Sequence, residues 1–283
     1  VGKLNVDKSN VVLWPTWFTG TSEQIINYGF TNSLIDTTGL FIIIVDALTN
    51  GVSSSPSNTP DFPTISVRDM VNSQYILLVN HLNIDHVFAV MGISMGGMQT
   101  FEWVVAYPDF MDKAIPIVGS PKQSSYDKLV WQTMADLMTE AGQDPQKLDF
   151  AYKKAHNIVL MNANTPTLFA ETIKPDSLDI YLEEEYSRLM KPEDYLGGLN
   201  AMIPHDIYKS ANCNLTNVKN IVEADMLIIP ATQDHLVNPL SSIELSKVLN
   251  AELVTLSGNC GHGAFGCETE KVKNAVTEFL NDR

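Results

Sequence analysis

One serine stands in a sequence context that could make it a nucleophile. Ser94 lies in Gly92-Ile-Ser-Met-Gly96, a G-x-S-x-G pattern that follows the apolar run VFAVMGI. A serine hydroxyl attacks a carbonyl only when a base takes its proton and an acid orients that base. In strand-turn-helix sites of this kind the acid and then the histidine follow the serine along the chain. We therefore look downstream for both.

Two downstream residues meet that requirement. Asp234 comes directly after the apolar run MLIIPATQ, and His262 lies in SGNCGHGAFG after the last apolar run. We predict Ser94 as the nucleophile, Asp234 as the acid and His262 as the base. Taken singly, an aspartate after a strand is commonly a turn or cap residue, and a single histidine is commonly a packed one. The joint order of the three favours the catalytic interpretation.

Acyl chemistry also needs two backbone N–H groups that face the developing oxyanion. We predict that Met95, which follows the nucleophile, supplies one of them. The loop WPTWFTG after the first apolar run supplies the other, with Phe18 preferred over Trp17. The aromatic side chains of that loop are equally consistent with a role in the core.

The sequence gives less support to metal binding or to a catalytic role for the other histidines. Cys260, His262 and Cys267 do not make a zinc site, because zinc would need further ligands and would consume the best-placed base. We predict neither a metal nor a cofactor. Cys260 and Cys267 are consistent either with a disulfide or with two buried thiols. The remaining histidines are interpreted as structural, although His205 is also considered for a substrate contact. They are His81, His86, His156, His205 and His235.

The elements that must position these residues follow from hydrophobic patterning. Near-continuous apolar runs indicate strands buried on both faces, and helical periodicity separates them. This alternation predicts a doubly wound α/β protein with a mostly parallel central sheet flanked by helices. The predicted strands are 11–16, 41–47, 86–93, 113–119, 225–232 and 251–258. The predicted helices outside the cap are 66–82, 94–107, 239–250 and a last one over ETEKVKNAVTEFL.

One stretch interrupts the alternation. From about residue 121 to residue 220 the pattern predicts helices and no strand, and the stretch is too long for a loop. We predict a core of residues 1–120 and 221–283 with an inserted helical cap at 121–220. Several apolar cap residues are consistent with a pocket lining or with the cap core. They are Trp131, Met134, Met138, Tyr195, Leu199 and Met202.

The composition of the chain argues against some classes of binding partner. The 283 residues carry a formal net charge of −15, which argues against nucleic acid and against anionic membranes. No apolar run reaches the roughly 18 residues of a membrane-spanning helix. The chain begins VGKLNVDKSN, without methionine or a leader-like segment, so we expect a processed or truncated product. The compartment stays open, with a cytoplasmic location favoured over export.

At this point specific motifs can be compared with a known family. The stretches DFPTISVRDMV, GISMGGMQTFEWVVAYPDFMDKAIPIVGSP, ATQDHLVNP and GHGAF resemble the homoserine O-acetyltransferase family of α/β-hydrolases over most of the chain. The resemblance implies an α/β-hydrolase fold, with Ser94, Asp234 and His262 as the family's nucleophile, acid and base. It also implies ping-pong acyl transfer and a homodimer formed through the helical cap.

The departures from the family change the expected acceptor. A glycine-rich family segment is replaced by Asp46–Pro60, and the aspartate that follows the family's catalytic histidine is Gly263 here. The strands that usually precede the first one are also absent. We therefore predict hydrolysis of a small ester, with water as the acyl acceptor. The alternatives are O-acetyl transfer from acetyl-CoA to an amino-acid hydroxyl and a non-catalytic binding module on the same fold.

Overall fold

A parallel β-sheet forms the centre of the molecule. The computed structural model describes residues 1–142 and 144–282, and within them six strands pair in the order β2-β1-β3-β4-β5-β6. Every pairing between these strands is parallel. The strands are β1 (Val11–Pro15), β2 (Phe41–Val45), β3 (Val87–Ile93), β4 (Met111–Ile117), β5 (Asp225–Ile228) and β6 (Glu252–Leu253). The predicted α/β architecture is confirmed.

Burial explains why the central runs form strands and why the last one is short. All five residues of β1 are buried, as a strand covered on both faces requires. In contrast, Glu252 and Leu253 are exposed, and the predicted strand 251–258 contributes two ladder residues followed by a bridge from Leu256 to Ala231. An edge strand has one neighbour, so fewer of its backbone groups are held in a ladder.

Helices cover the sheet and fill the long insertion. α3 begins at a capping box formed by Ser66 and Asp69 and continues into a π-helical turn at Leu77–His81. The helices outside the insertion are α1 (Ser22–Asn27), α2 (Phe30–Ser33), α3 (Val67–Ile76), α4 (Met95–Ala106), α11 (Leu240–Leu249), α12 (Ala264–Cys267) and α13 (Thr269–Asn281). Those between β4 and β5 are α5 (Ser125–Ala141), α6 (Pro145–Ala163), α7 (Pro166–Thr172), α8 (Leu178–Ser187), α9 (Pro192–Met202) and α10 (Ile207–Ser210).

The predicted cap region is helical. Across 121–142 and 144–220 no residue belongs to a strand, and one isolated bridge joins Lys122 to Asp206. Helix α7 is not among the predicted helices, although Thr165 caps it and Pro166 occupies its first turn. The domain boundaries at residues 120 and 220 stay a prediction.

The chain order of the sheet creates a crevice for the site. β1 lies between β2 and β3, so the connections leaving β1 and β3 diverge at the carboxyl ends of these two strands. Ligands of open α/β sheets bind at such a switch point. Ser94 follows β3, and the loop with Trp17 and Phe18 follows β1. In the described part of the chain, no helix has both the length and the apolar character that crossing a bilayer requires.

Candidate active site

Ser94 occupies a strained turn between β3 and α4. Its backbone has φ 57° and ψ −120°, a conformation that L-residues rarely adopt. The flanking glycines make the turn sterically feasible. A Cβ at Gly92 would stand 2.2 Å from the Gly96 carbonyl oxygen, and one at Gly96 would stand 2.5 Å from the Pro15 carbonyl oxygen. The G-x-S-x-G pattern is thus required by close backbone approach.

A hydrogen-bonded chain links the three predicted triad residues. His262 Nε2 lies 2.8 Å from Ser94 Oγ, and His262 Nδ1 lies 2.6 Å from Asp234 Oδ2. The carboxylate accepts, so the imidazole proton sits on Nδ1 and Nε2 accepts the serine proton. Asp234 is almost fully covered, with 1% of its side chain exposed, while 13% of the His262 side chain is exposed.

Asp234 is oriented by the turn that it begins. Its Oδ1 accepts the N–H groups of Leu236 at 2.9 Å and Val237 at 2.8 Å, which leaves Oδ2 for His262. The next N–H in the turn, that of Asn238, donates to Asp127 Oδ1 at 2.9 Å. Asp127 was not among the predicted site residues, and the sequence carries no signal for this long-range contact.

The loop that carries His262 is tied down at several points. The sequence left open whether Cys260 and Cys267 form a disulfide or two buried thiols. In the structure they form a disulfide. Thr165 of the cap donates a hydrogen bond from its hydroxyl to the Asn259 carbonyl. Gly261 has φ 60°, and a Cβ there would stand 2.5 Å from the Ala163 carbonyl oxygen.

The two residues predicted to supply the oxyanion hole are a neighbour of Ser94 in the chain and a residue that shares its cavities. Met95 begins α4, and Phe18 lines two cavities that also contain Ser94. Within residues 1–142 and 144–282 the N–H of Phe18 donates to no backbone or side-chain acceptor. Trp17, the second choice, also lines the larger cavity. Gln99 donates hydrogen bonds to the carbonyls of Thr16 and Met95, and so links the loop after β1 to the start of α4. The sequence analysis did not predict Gln99 as a site residue, although it ends the SMGGMQ motif.

Two cavities meet at Ser94. The larger has a volume of about 450 Å³, is partly open to solvent, and has Trp17, Tyr28 and Phe265 in its lining. The smaller has a volume of about 20 Å³ and is lined mostly by apolar side chains. Of the six apolar cap residues considered, Trp131, Met134, Leu199 and Met202 line the smaller cavity and Tyr195 lines the larger. Met138 is buried and lines neither of them.

Two of the remaining histidines, His205 and His156, contact groups other than the triad. His205 is buried, donates from Nε2 to the Ser120 carbonyl at 3.1 Å and lies 3.6 Å from Glu102. Burial lowers the pKa of His205, because desolvation disfavours the imidazolium. His156 lies in the wall of the larger cavity, 3.3 Å from a Glu185 carboxylate oxygen, and burial lowers its pKa as well. His205 thus has the buried, hydrogen-bonded environment of a structural histidine. His156, in contrast, lines the larger cavity at Ser94.

The described residues contain no group of three or more histidine, cysteine, aspartate or glutamate side chains arranged to hold a metal ion. The disulfide also occupies the two sulfur atoms that a zinc ion beside His262 would need. The groups that meet at the sheet edge are instead a serine hydroxyl, an imidazole and a carboxylate, beside a small apolar pocket.

Comparison with known proteins agrees with this chemistry. The model of the alpha/beta hydrolase fold family matches residues 10–266. The ethyl acetate hydrolase of Pseudomonas veronii is 28% identical over 294 residues, which cover 95% of this chain and 84% of that protein. The homoserine O-acetyltransferase of Methanosphaerula palustris is 29% identical over 332 residues, covering 99% of this chain and 67% of that protein.

A solved structure extends the similarity to three dimensions. An acetylester hydrolase from Corynebacterium glutamicum superposes with a TM-score of 0.90 at 25% sequence identity, over 99% of this chain and 88% of that one. The family resemblance drawn from the sequence motifs is confirmed. The chain belongs to the alpha/beta hydrolase fold family, and it is an enzyme whose relatives are esterases and homoserine O-acetyltransferases.

Proposed function

We propose that the protein hydrolyses small carboxylic esters through a Ser94 acyl-enzyme. The observation that supports this most directly is the continuous hydrogen-bonded chain from Asp234 through His262 to Ser94. A serine that is merely part of a tight turn needs neither a base nor a buried acid behind that base. The same three residues argue against a binding module, which has no use for all of them.

The first half of the reaction forms the acyl-enzyme. As Ser94 Oγ attacks the ester carbonyl, His262 Nε2 takes the hydroxyl proton, and Asp234 stabilises the resulting imidazolium. The N–H groups of Met95 and Phe18 donate to the oxyanion of the tetrahedral intermediate. His262 then returns the proton to the departing alkoxide, and the alcohol leaves through the open side of the larger cavity.

The second half regenerates the serine. Water enters the place that the alcohol has left, His262 removes its proton, and the hydroxide attacks the acyl carbonyl. Collapse of this second intermediate breaks the bond to Ser94 Oγ, which regains its proton from His262. Since these residues supply nucleophile, base and electrostatic stabilisation, we propose that the reaction requires no cofactor.

The small apolar pocket beside Ser94 supports a short acyl group. Its volume of about 20 Å³ is close to the space that one water molecule needs, roughly 10–15 Å³ on the same measure. Trp131, Met134 and Met202 close it with apolar atoms, so a methyl group is favoured over a polar one. We therefore propose acetyl esters as the substrate class, in line with the similarity to the ethyl acetate hydrolase and the acetylester hydrolase.

A second candidate is O-acetyl transfer from acetyl-CoA to an amino-acid hydroxyl. The similarity to the Methanosphaerula palustris transferase over 99% of this chain favours it. The position after His262 weighs against it, because Gly263 is exposed and offers no charge to a substrate amino group. Under this candidate the acyl-enzyme is the same and only the acceptor differs.

The distinguishing experiment is product analysis. The enzyme is incubated with ethyl acetate alone and, separately, with acetyl-CoA and homoserine, and Ser94→Ala is the control in both. We expect acetate release from the ester without any acceptor, and a loss of at least about 10³-fold in Ser94→Ala. Acetyl-homoserine formation faster than hydrolysis would instead establish the transferase. A fluorophosphonate that leaves Ser94 unlabelled would overturn both candidates and favour a binding module.

We also propose a homodimer formed through the cap, as the family resemblance implies. Large apolar side chains are exposed on α5 and α6, namely Leu129 (66%), Phe150 (64%) and Met161 (66%). Apolar side chains in such numbers on neighbouring helices are typical of interaction surfaces. Sedimentation of the wild type and of Phe150→Glu tests this proposal, and a wild-type monomer at micromolar concentration would refute it.

A further inference from the structure

A buried carboxylate in the cap contacts the turn that carries the triad acid. Asp127 lies in the first turn of α5 and is fully buried. Its Oδ2 accepts the Ser124 N–H at 2.9 Å, and Ser124 Oγ accepts the Asp127 N–H at 3.1 Å. This reciprocal pair is a capping box, which satisfies two free N–H groups at the start of a helix. The capping box accounts for one carboxylate oxygen of Asp127.

The other oxygen has a different partner. Asp127 Oδ1 accepts the backbone N–H of Asn238 at 2.9 Å, across 111 positions of the chain. Asn238 ends the turn that Asp234 begins. Three successive N–H groups of this turn are therefore held by two carboxylates: Leu236 and Val237 by Asp234, and Asn238 by Asp127. Helix capping does not explain this contact.

Burial of Asp127 has an energetic cost that the contacts offset. Desolvation raises the pKa of Asp127, while the N–H groups of Asn238 and Ser124 act in the opposite direction and the neighbouring Asp234 charge raises it further. Helix-capping acids are ordinarily exposed, where their charge stays solvated. Asp127, in contrast, is fully buried beside a second carboxylate. Its contact with the turn 234–238 explains this burial better than its capping of α5 does.

We propose that Asp127 is a positioning residue for the triad: it fixes the turn 234–238 so that Asp234 Oδ2 meets His262 Nδ1, and thereby makes helix α5 of the cap part of the catalytic support. The inference rests on the proposed serine chemistry. Its physical basis is that hydrogen-bond geometry between acid and base is sensitive to displacements well below 1 Å, and a misplacement of about 1 Å costs about 10²-fold in rate.

The test compares three carboxylate variants. Asp127→Asn removes the charge and one acceptor from the turn. Asp127→Glu keeps a standard capping box at α5 but moves the carboxylate away from Asn238. Asp144→Asn is the matched control, because Asp144 caps α6 through the N–H groups of Gln146 and Lys147 and has no such contact with the turn 234–238.

We expect Asp127→Asn and Asp127→Glu to lower kcat about tenfold or more with KM within about twofold of the wild type. Weakening the contact between Asp234 and His262 should also move the acid limb of the kcat/KM pH profile of Asp127→Asn to lower pH, because the imidazolium loses stabilisation. The downfield proton signal of His262 Nδ1–H should move in both variants. Asp144→Asn should match the wild type in all three measurements.

Unchanged kcat, pH profile and Nδ1–H signal in folded Asp127→Asn would overturn the proposal. If Asp127→Asn does not fold, Asp127→Glu decides in the same way, since its capping box preserves the helix start. Fluorophosphonate labelling of the wild type separates this inference from the proposed function. Absent labelling refutes both, whereas normal labelling with unaffected Asp127 variants refutes the positioning role alone.

Discussion

Gly198 lies against the ring of Phe18. A Cβ built at Gly198 would stand 2.7 Å from Phe18 Cε2, closer than real Cβ atoms approach other atoms. On the same helix, Tyr195 packs on the Phe18 ring with the centroids 4.7 Å apart. Helix α9 of the cap therefore sets the position of the loop after β1, whose backbone we propose as an oxyanion donor.

Gly198→Ala should consequently impair catalysis. The added methyl group displaces the Phe18 ring and, with it, the Phe18 N–H. We expect kcat to fall about tenfold, a part of the 10²–10³-fold that full loss of an oxyanion donor costs, while KM changes little. Steady-state kinetics on an acetyl ester measures this. Gly266→Ala is the control, since nothing lies within 4 Å of its added Cβ. Equal kcat values in the two variants would contradict the role of Phe18.

Met134→Ala should change acyl selectivity. Met134 lines the small pocket beside Ser94, and truncating it makes room for a longer acyl chain. We expect the ratio of kcat/KM for butanoate over acetate esters to rise about tenfold, at a cost of about 2–5 kcal/mol in unfolding free energy. Met138→Ala is matched to it, as Met138 is equally buried on α5 but lines neither cavity at Ser94. A similar ratio in both variants would mean that the pocket does not hold the acyl group.

His205 should make the protein less stable in mild acid. Burial depresses its pKa below the ordinary value, although Glu102 and Asp206 oppose that shift and Arg68 adds to it. The unfolded state therefore binds more protons than the folded state below about pH 6.5, so the stability that is present above this pH is lost as the pH falls.

Thermal unfolding between pH 7.5 and pH 5 checks this expectation. His205→Gln retains a donor for the Ser120 carbonyl and removes the titration, so its Tm should decline less steeply with acid than that of the wild type. Replacing the exposed His81 by glutamine should leave the slope unaltered. Parallel slopes for the wild type and His205→Gln would show that acid sensitivity arises elsewhere.

Reduction of the Cys260–Cys267 disulfide should lower both stability and activity. The bond closes a short loop in which His262 is accompanied by Gly261, Gly263 and Gly266, so opening it releases a flexible segment. The chain-entropy estimate for a loop of this size is about 2 kcal/mol. We expect a lower Tm and a several-fold lower kcat in the double variant Cys260→Ala, Cys267→Ala. Cys213→Ala, which removes the half-buried free thiol, is the reference. Wild-type kinetics in the double variant would show that the remaining contacts suffice.

The sequence was informative where chemistry depends on local order. Strands that end at a common sheet edge bring the residues after them together, and this logic is sufficient to select Ser94, Asp234 and His262 for a site. It also located the cap helices, because amphipathic periodicity is a local property. Short features were predicted less well: the strand predicted at 251–258 contributes only two ladder residues as β6, and α7, marked by Thr165 and Pro166 rather than by a long apolar stripe, was not predicted.

Long-range contacts were not accessible in this way. Nothing in S-S-Y-D indicates that Asp127 meets Asn238, and nothing in the glycines of α9 indicates that Gly198 faces Phe18. The choice between a pocket and a packed core for Trp131, Met134 and Met138 depends on how the cap is seated. Such contacts arise from tertiary packing, which the spacing of residues along the chain does not predict.

The distance between Ser94 and His262 along the chain has a consequence for biosynthesis. The two residues are separated by 168 positions, with the insertion and strands β4, β5 and β6 between them. During translation, domains form from the amino-terminal side, so the serine turn and four strands are made long before a base exists to activate the nucleophile. Closing so long a loop is also slow. The hydrogen-bonded chain from Asp234 through His262 to Ser94 is therefore completed only after the last part of the chain has been made and folded.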